Sequence, residues 1–539
     1  LAQDHRPFAA LLLAIALMPA MAGCKLMEGR LDPALDIPNA YRWARGAPDT
    51  ALPPLDWWRC FHSRELTDLM EQAQAANLDI AAAVARIIEA DANARIAGAP
   101  LLPNVNLTAS ALHTKPSTIG GGGSSSTSGI NNINNINNGG LGAINNGGGG
   151  GSTSSSSSSS TSSSTSSSGR SGGGGGGGGG EFSIYSIALN ASYVVDFCGR
   201  NRDLLRAAEF SASASRFDRE VVALTTLVTV ANTYFLVLEG QDLLRIARRN
   251  LVATERILKL IQDRFNNGTA AALDLAQQAS LVAIQRASIP PLVQQVEQNR
   301  AALALLVGIV PEHIGISGGS MFSLAIPRVT PGLPSELLVR RPDVREAEVR
   351  LAGADANVAA ARAAFFPTIQ LTAQGGFQSL ALATLFGPGA AFYTVATTLT
   401  QPIFDGGTLL GQLDLQKGTR EELLQDYRKA VISAFTDVEK ALIAVQQTTR
   451  QEQLQRDAVR ESRRAFELSE ERLRAGTIDV VTLLQAEQTW IQQEMTLAQV
   501  RFFRLQAIVS LYQALGGGWQ LDLADRVPLR VKFKAPPHP

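Results

Sequence analysis

Few side chains in this sequence stand where they could do chemistry. An apolar run from Phe8 to Met18 follows His5 and Arg6 and leads through Pro19 to Gly23 into Cys24. A basic start, a short apolar core and small residues before a cut form a secretory signal. The reaction open to the Cys24 thiol is acylation. Ala22-Gly23-Cys24 resembles a bacterial lipobox, in which the cysteine becomes the lipid-bearing first residue of the mature protein. Met21 stands where Leu is usual, and simple cleavage with Cys24 incidental is the competing reading. Lys25, rather than Asp, follows the cysteine, which in enterobacterial lipoproteins goes with the outer membrane. The apolar run is about 11 residues, whereas a bilayer span needs roughly 20.

No other group of residues converges on a reaction. Five His form no HxxxH or HExxH pair, and His62, His113 and His313 read as surface or hydrogen-bonded groups. Three Cys make neither a disulfide scaffold nor a metal cluster, and Cys60 and Cys198, whose pairing the sequence leaves open, read by default as free buried thiols. The glycine run from Gly172 to Gly180 lacks the Gly-Lys-Ser/Thr ending of a phosphate loop. Serine is plentiful, but no Gly-x-Ser-x-Gly nucleophile elbow is expected. The 48 basic and 48 acidic side chains cancel, which argues against a nucleic-acid surface. The sequence thus predicts no enzyme, no metal and no cofactor beyond a covalent lipid on Cys24.

The elements are repeated. Leu102-Pro103-Asn104-Val105 and Asp91-Ala92-Asn93 recur 264 positions later, as Phe366-Pro367-Thr368-Ile369 and Asp355-Ala356-Asn357. Farther along the offset is 207 or 208: Phe197-Cys198-Gly199 matches Phe404-Asp405-Gly406, and Phe265-Asn266-Asn267-Gly268-Thr269 matches Leu473-Arg474-Ala475-Gly476-Thr477. The first copy therefore carries 264 − 207 = 57 extra residues, within a Gly/Ser/Asn-rich tract at 117–180. Such a tract cannot bury enough apolar surface to offset its chain entropy, so a disordered loop is expected.

Each copy reads as strand, loop, strand and a long helical pair. Tyr185, Ile187, Leu189, Ala191, Tyr193 and Val195 alternate with mostly small or polar residues; Ile369, Leu371 and Ala373, then Tyr393, Val395 and Leu399, do the same. Periodicity leaves open a membrane-spanning sheet or a half-buried soluble one. No segment after the signal has 18 consecutive apolar residues, so a crossing would need a closed sheet. In the helical parts, Val221-Leu224-Val228-Ala231-Phe235-Leu238, Leu424-Tyr427-Val431-Ala434-Val438-Ala441-Val445 and Ile491-Met495-Ala498-Phe502-Leu505-Val509-Tyr512 step by threes and fours, a coiled-coil seam. Asn267-Gly268-Thr269 and Ala475-Gly476-Thr477 mark reversals, each a glycine helix stop followed by a new start. Asp274 and Asp479 lie near the starts of the returning helices, where a carboxylate suits the helix dipole. Trp57-Trp58 is expected to pack against the helices or a neighbour.

Taken together, Asp196-Phe197-Cys198-Gly199-Arg200, Arg340-Arg341-Pro342-Asp343-Val344-Arg345, Gln401-Pro402-Ile403-Phe404-Asp405-Gly406-Gly407 and Ala514-Leu515-Gly516-Gly517-Gly518-Trp519 resemble the outer membrane factors, a TolC-like family. The lipoprotein branch that serves resistance-nodulation-division efflux pumps fits best. The resemblance covers about Leu31 to Gln520 apart from the insert. It implies a mainly α fold with β: four transmembrane strands per chain plus long coiled-coil helices. Three chains would close one twelve-stranded barrel, continued by a periplasmic helical barrel with an equatorial domain. The chain then divides into a signal (1–23), a lipidated arm with the first helices (24–100), a first strand pair (101–197) with its extracellular loop (117–180), and a first helical hairpin (198–310, tip 266–269). An equatorial segment (311–340), a helix (341–365), a second strand pair (366–404), a second hairpin (408–515, tip 475–477) and a C-terminal equatorial tail (516–539) follow.

The resemblance also implies a passive exit duct for drugs or other small toxic compounds. Its partners would be two further copies of the chain, a periplasmic adaptor (membrane fusion) protein, an inner-membrane resistance-nodulation-division pump and outer membrane lipids. It places the gate at Val481 and Gln485, with Asp479 and Asp274 as associated charges. Gln485 stands where relatives carry Asp, which puts a cation filter in doubt; Asp479 and Glu487 are alternative sources of charge, and Arg472 or Arg474 could pair with Asp274. These charges equally suit capping or a solvated helix face. Adaptor docking falls at Asn267, Gly268, Thr269, Ala475, Gly476 and Thr477, where small residues allow close approach, although each glycine could merely end a helix. The competing functions are the outer channel of a type I protein secretion system and a structural coiled-coil surface lipoprotein.

Overall fold

A computed structural model of the chain describes residues 41–43, 54–115, 182–327, 329 and 334–519. The signal, Cys24, the 117–180 tract and the tail beyond residue 519 lie outside the described residues. The chain divides into a helical unit (Leu1–Leu102, Tyr193–Gln370, Thr398–Pro539) and a strand unit (Pro103–Ser192, Leu371–Thr397).

The helical unit begins with α1 (Arg64–Ala76) and α2 (Leu78–Gly98). Each starts at a side-chain cap: Ser63 Oγ accepts from the Leu66 N–H, and Asn77 Oδ1 accepts from Asp79 and Ile80. Two long hairpins dominate the rest. The first is α3 (Arg200–Asn266) with α4 (Ala272–Val307). Between the hairpins come the short α5 (Pro334–Arg340) and α6 (Pro342–Ala363). The second hairpin is α7 (Thr408–Arg474) with α8 (Val480–Ala514). Adding 208 to both ends of α3 gives both ends of α7, and each helix has 67 residues, about 100 Å at 1.5 Å per residue.

The threes-and-fours spacing explains the packing. Leu424, Tyr427, Val431, Ala434, Val438 and Ala441 are all buried in one cluster, and Leu224, Val228, Ala231, Phe235 and Leu238 in another with Phe502, Leu505, Val509 and Tyr512. By length and composition α3 is also long and apolar enough to cross a membrane: its most apolar window has mean hydropathy 1.9, with 61% of that window buried inside the protein. Gly240 does not break α3; a Cβ there would sit 2.7 Å from Val296 Cγ2, so glycine lets α4 approach closely. Trp57 is fully buried, stacked on Tyr512 with ring centroids 5.3 Å apart. Among the described residues Cys60 and Cys198 form no disulfide, and both are half-buried rather than fully buried.

The waist of this unit is fixed by charge. Glu452 on α7, 1% exposed at its side chain, accepts from Arg501 Nη1 (3.2 Å), Arg504 Nη1 (2.7 Å) and Arg456 Nη2 (2.6 Å). Arg501, 4% exposed, donates onward to the backbone carbonyls of Met321 (3.3 Å) and Leu324 (2.8 Å). Asp242 on α3 accepts from the Met321 N–H and Ser320 Oγ, both at 3.0 Å. The segment between α4 and α5 is thereby tied to α3, α7 and α8. Gly315-Ile316-Ser317-Gly318-Gly319 does spell Gly-x-Ser-x-Gly, which corrects the expectation that no such spelling occurs. It lies in coil between the short 3-10 turns Pro311–His313 and Met321–Ser323, with no strand before it and the Ser317 N–H given to Glu65 Oε1. It is not a nucleophile elbow.

The strand unit is one sheet in the order β1-β2-β3-β4: β1 (Asn104–Thr114), β2 (Phe182–Val195), β3 (Thr368–Ser379) and β4 (Ala391–Thr400). β1 and β2 pair antiparallel from Asn104↔Ser192 to Thr114↔Phe182. A Cβ on Gly376 of β3 would meet Ile187 O of β2 at 2.1 Å, so the strands approach there only because glycine has no side chain. The edge strands β1 and β4 leave apolar side chains uncovered: Tyr393 is 84% exposed, Val395 75% and Leu107 67%.

Candidate gate and docking tip

Both hairpins turn in the same way. In the first, the Thr269 N–H donates to Arg264 O (2.8 Å) and the Gly268 N–H to Phe265 O (2.9 Å). In the second, Thr477 N–H donates to Arg472 O and Gly476 N–H to Leu473 O, both at 3.0 Å. This is the paired bond pattern of a Schellman motif, which needs a left-handed residue, and Gly268 (φ 71°) and Gly476 (φ 72°) supply it. Each threonine hydroxyl adds a bond to the same carbonyl, Thr269 Oγ1 to Arg264 O and Thr477 Oγ1 to Arg472 O. Asn267, Gly268, Thr269, Ala475, Gly476 and Thr477 are all exposed, and nothing lies within 4 Å of where a Cβ on either glycine would stand.

The two acids after the turns act as caps. Asp274 Oδ2 accepts the Ala271 N–H at 3.1 Å. Asp479 is the N-cap of α8: its Oδ1 accepts the Thr482 N–H at 2.9 Å and also the Thr482 hydroxyl. Those bonds, the Thr482 hydroxyl first, hold the Asp479 carboxyl below the usual carboxylate range. Arg474 pairs with Glu470 on its own helix rather than with Asp274.

Val481 and Gln485 lie one turn apart on α8, and both are exposed, Val481 by 39%. Leu483, Leu484, Glu487 and Trp490 occupy the buried face of the same helix, so the two faces separate cleanly. Glu487 therefore does not share the face of Val481 and Gln485, which corrects its expected role as an alternative source of gate charge. It is fully buried, in the neighbourhood of Thr254 of α3 and Gln278 of α4. Burial pushes its carboxyl up to about 7, against smaller downward pulls from Thr254 and Gln278. Around it, Phe466 stacks on Trp490 at 5.1 Å and Arg249 lies over the Trp490 ring. The hairpins are cross-tied near this level by Arg256–Glu470 (2.9 Å), by Arg249–Glu494 and by Arg264 Nη1 donating to Leu473 O (3.0 Å).

These features have parallels among known proteins. The family model described as outer membrane efflux protein matches residues 69–136, 146–309 and 333–517. The pyoverdine export outer membrane protein OpmQ of Pseudomonas aeruginosa is 36% identical over 503 residues, 93% of this chain and 95% of that protein. The toluene efflux pump outer membrane protein TtgF of Pseudomonas putida is 35% identical over 338 residues, 62% of this chain and 70% of that protein. Among solved structures, the outer-membrane channel OprN superposes with TM-score 0.76 at 24% identity, covering 92% of this chain and 99% of that one. The open state of the MtrE outer membrane channel of Neisseria gonorrhoeae gives 0.72 at 26% identity, covering 91% and 98%. A capped helical hairpin repeated 208 residues apart, together with a four-stranded sheet, is the subunit fold of these channels, and the chain belongs to the outer membrane efflux protein family.

Proposed function

We propose that three copies of the chain form a gated, passive duct through the outer membrane of a Gram-negative bacterium, lipid-anchored at Cys24. The observation that carries the reading is the open sheet. β1 and β4 are its edges, and Tyr393, Val395 and Leu107 stand exposed on them. Unpaired strand edges cannot face hydrocarbon, and four strands cannot close a barrel alone. Three copies solve both problems.

The duct performs no chemistry in this reading. A pump in the inner membrane, of the resistance-nodulation-division class, supplies the energy, and a periplasmic adaptor bridges to the exposed tips at Gly268 and Gly476. The exposed face of α8 forms the constriction, three Val481 side chains with three Gln485 amides, which carry no charge to filter ions. Asp479 and Asp274, engaged as caps, hold the turns that frame it. Cargo is left to the partners: OpmQ serves pyoverdine export and TtgF a toluene pump, although both resemble this chain. Small-molecule efflux is favoured over protein secretion by these relatives.

The test is conductance of the purified protein in planar bilayers. A small, rarely open pore is expected, and the double variant Val481→Ala, Gln485→Ala should raise its conductance several-fold. Unchanged conductance sinks the gate placement, and a monomer in detergent sinks the duct. A deletion strain should lose tolerance to part of a panel of antibiotics and solvents, or retain its own secreted chelator.

A further inference from the structure

We propose that a proton carried by Glu487 locks the tip-proximal part of the first hairpin to the second, and that its loss loosens this junction. The inference deepens the gated-duct reading, on which its consequence for conductance rests.

Glu487 projects from α8 into the place where α3 and α4 meet it, beside Ile257, Ile261, Leu281, Leu483 and Trp490, which are themselves buried in one cluster. The polar residues in this interior are Glu487, Thr254, Asn250 and Gln278, every one of them 0% exposed, and the Trp490 indole N–H is buried beside them. Their hydrogen bonds do not balance. The Thr254 hydroxyl donates to Asn250 O (2.6 Å), and Gln278 Nε2 donates to Thr254 O (3.0 Å). Both carboxyl oxygens of Glu487 are left without a hydrogen-bond partner, as are Gln278 Oε1, Asn250 Oδ1, Asn250 Nδ2 and Trp490 Nε1. Four acceptors thus stand against two donor groups. A proton on Glu487 converts one of the acceptors into a donor and supplies what the cluster lacks. A bare carboxylate would bring a charge into the same interior with too few donors to compensate it.

The surrounding charges are spoken for. From α3, Arg256 pairs with Glu470 of α7, and Arg249 pairs with Glu494 and lies over Trp490. From α7, Glu470 also holds Arg474. From α4, Asp274 lies one turn from Gln278 and accepts the Ala271 N–H. No described cation forms an ion pair with Glu487. Ionisation is therefore relieved only by exposing the side chain, which means parting α8 from α3 and α4. Glu487 lies six residues beyond Val481 on the same helix, so that parting moves the face on which the constriction is built.

Hydrogen-exchange mass spectrometry on the full chain, from pH 5 to 8, tests this. The readout is peptides spanning 250–261 and 480–491, corrected for the intrinsic base catalysis of exchange. Wild type should open about tenfold more often per pH unit between pH 5 and 7 and level off above. Glu487→Gln, which copies the shape and charge of the protonated acid, should stay protected across the range. A flat wild-type profile overturns the proposal. So does an equal slope in E487Q, which would hand the effect to another acid such as Glu239 on α3, also pushed up to about 7 by burial. Failure of E487Q to assemble counts against it too, because the amide should fit as well as the acid. Bilayer recordings separate the two readings. If exchange follows pH as expected but no pore conducts at any pH, the lock stands and the duct reading fails.

Discussion

The two buried acids of the second hairpin, Glu452 at the waist and Glu487 near the tip, sit in opposite surroundings. Glu452 receives three arginines, one of which, Arg501, also reaches the carbonyls of Met321 and Leu324. Glu487 has Thr254 and Gln278 nearby, but neither of its carboxyl oxygens has a donor in hydrogen-bond geometry. Burial alone would raise the Glu452 carboxyl, but Arg504, Arg501 and Arg456 bring it below the usual carboxylate range; Glu487 has only the smaller pulls of Thr254, Gln278 and Arg256 to set against burial and stands at about 7. A buried charge with every partner present resists movement, because breaking any one contact strands the rest. A buried acid with none is stable only while neutral. The waist is built to stay, and the tip is built to move.

The largest effect expected from breaking this contrast is at the waist. Glu452→Ala should cost about 3–5 kcal/mol, since it leaves Arg501 buried without its counter-charge. Thermal unfolding of the purified protein measures it; a loss below about 1 kcal/mol would mean the arginines find other partners. Next comes pH. The folded Glu487 binds a proton that the unfolded chain has already released, so its burial costs nothing below pH 4.5 and progressively more up to about pH 7. The folded Glu452 has the opposite sign: its contribution is present above the unfolded value and is lost as pH falls through the folded one. Stability should therefore fall toward both acid and neutral pH. E487Q should flatten the neutral limb alone, by on the order of 3 kcal/mol at pH 8.

Smaller effects sharpen the comparison at the turns. Gly268→Ala and Gly476→Ala meet no clash, so each should cost only the left-handed strain, about 1–2 kcal/mol, and the two costs should be equal. Unequal costs would show that one turn bears load from elsewhere. The smallest effect belongs to Asp479→Ala, which removes a solvent-facing cap and should give a slight loss of stability, seen as faster exchange in the first turn of α8.

Much of the fold was legible because its rules are local. A glycine after a helical run, followed by threonine, specifies the reversal at residues 268 and 476 without help from the rest of the chain. The strands could be found by alternation, but alternation does not say what covers their faces. The buried acids were harder, yet they left a signal. The seam ending at Leu238 continues by four to Asp242; the one ending at Val445 continues by three and four to Glu452; the one starting at Ile491 extends back by four to Glu487. Each acid occupies a position that the spacing reserves for burial, and each is buried. The run Gln485-Ala486-Glu487-Gln488 looks like solvated surface when read by composition, and only the spacing gives Glu487 away. What spacing cannot supply is the partner set. Arg501 lies 49 residues from Glu452, and Thr254 lies 233 from Glu487 (487 − 254), so the difference between a clamped acid and an unpaired one exists only in three dimensions.

The equal length of α3 and α7, 67 residues each, has an evolutionary corollary. Deleting one heptad from either helix would shift its turn by about 10 Å against its counterpart and scramble the cross-ties from Arg256 and Arg264. Descendants of this chain can lengthen or shorten the pair only in concert. Unmatched insertions are left to places such as the connection between the first two strands, where the first copy has outgrown the second.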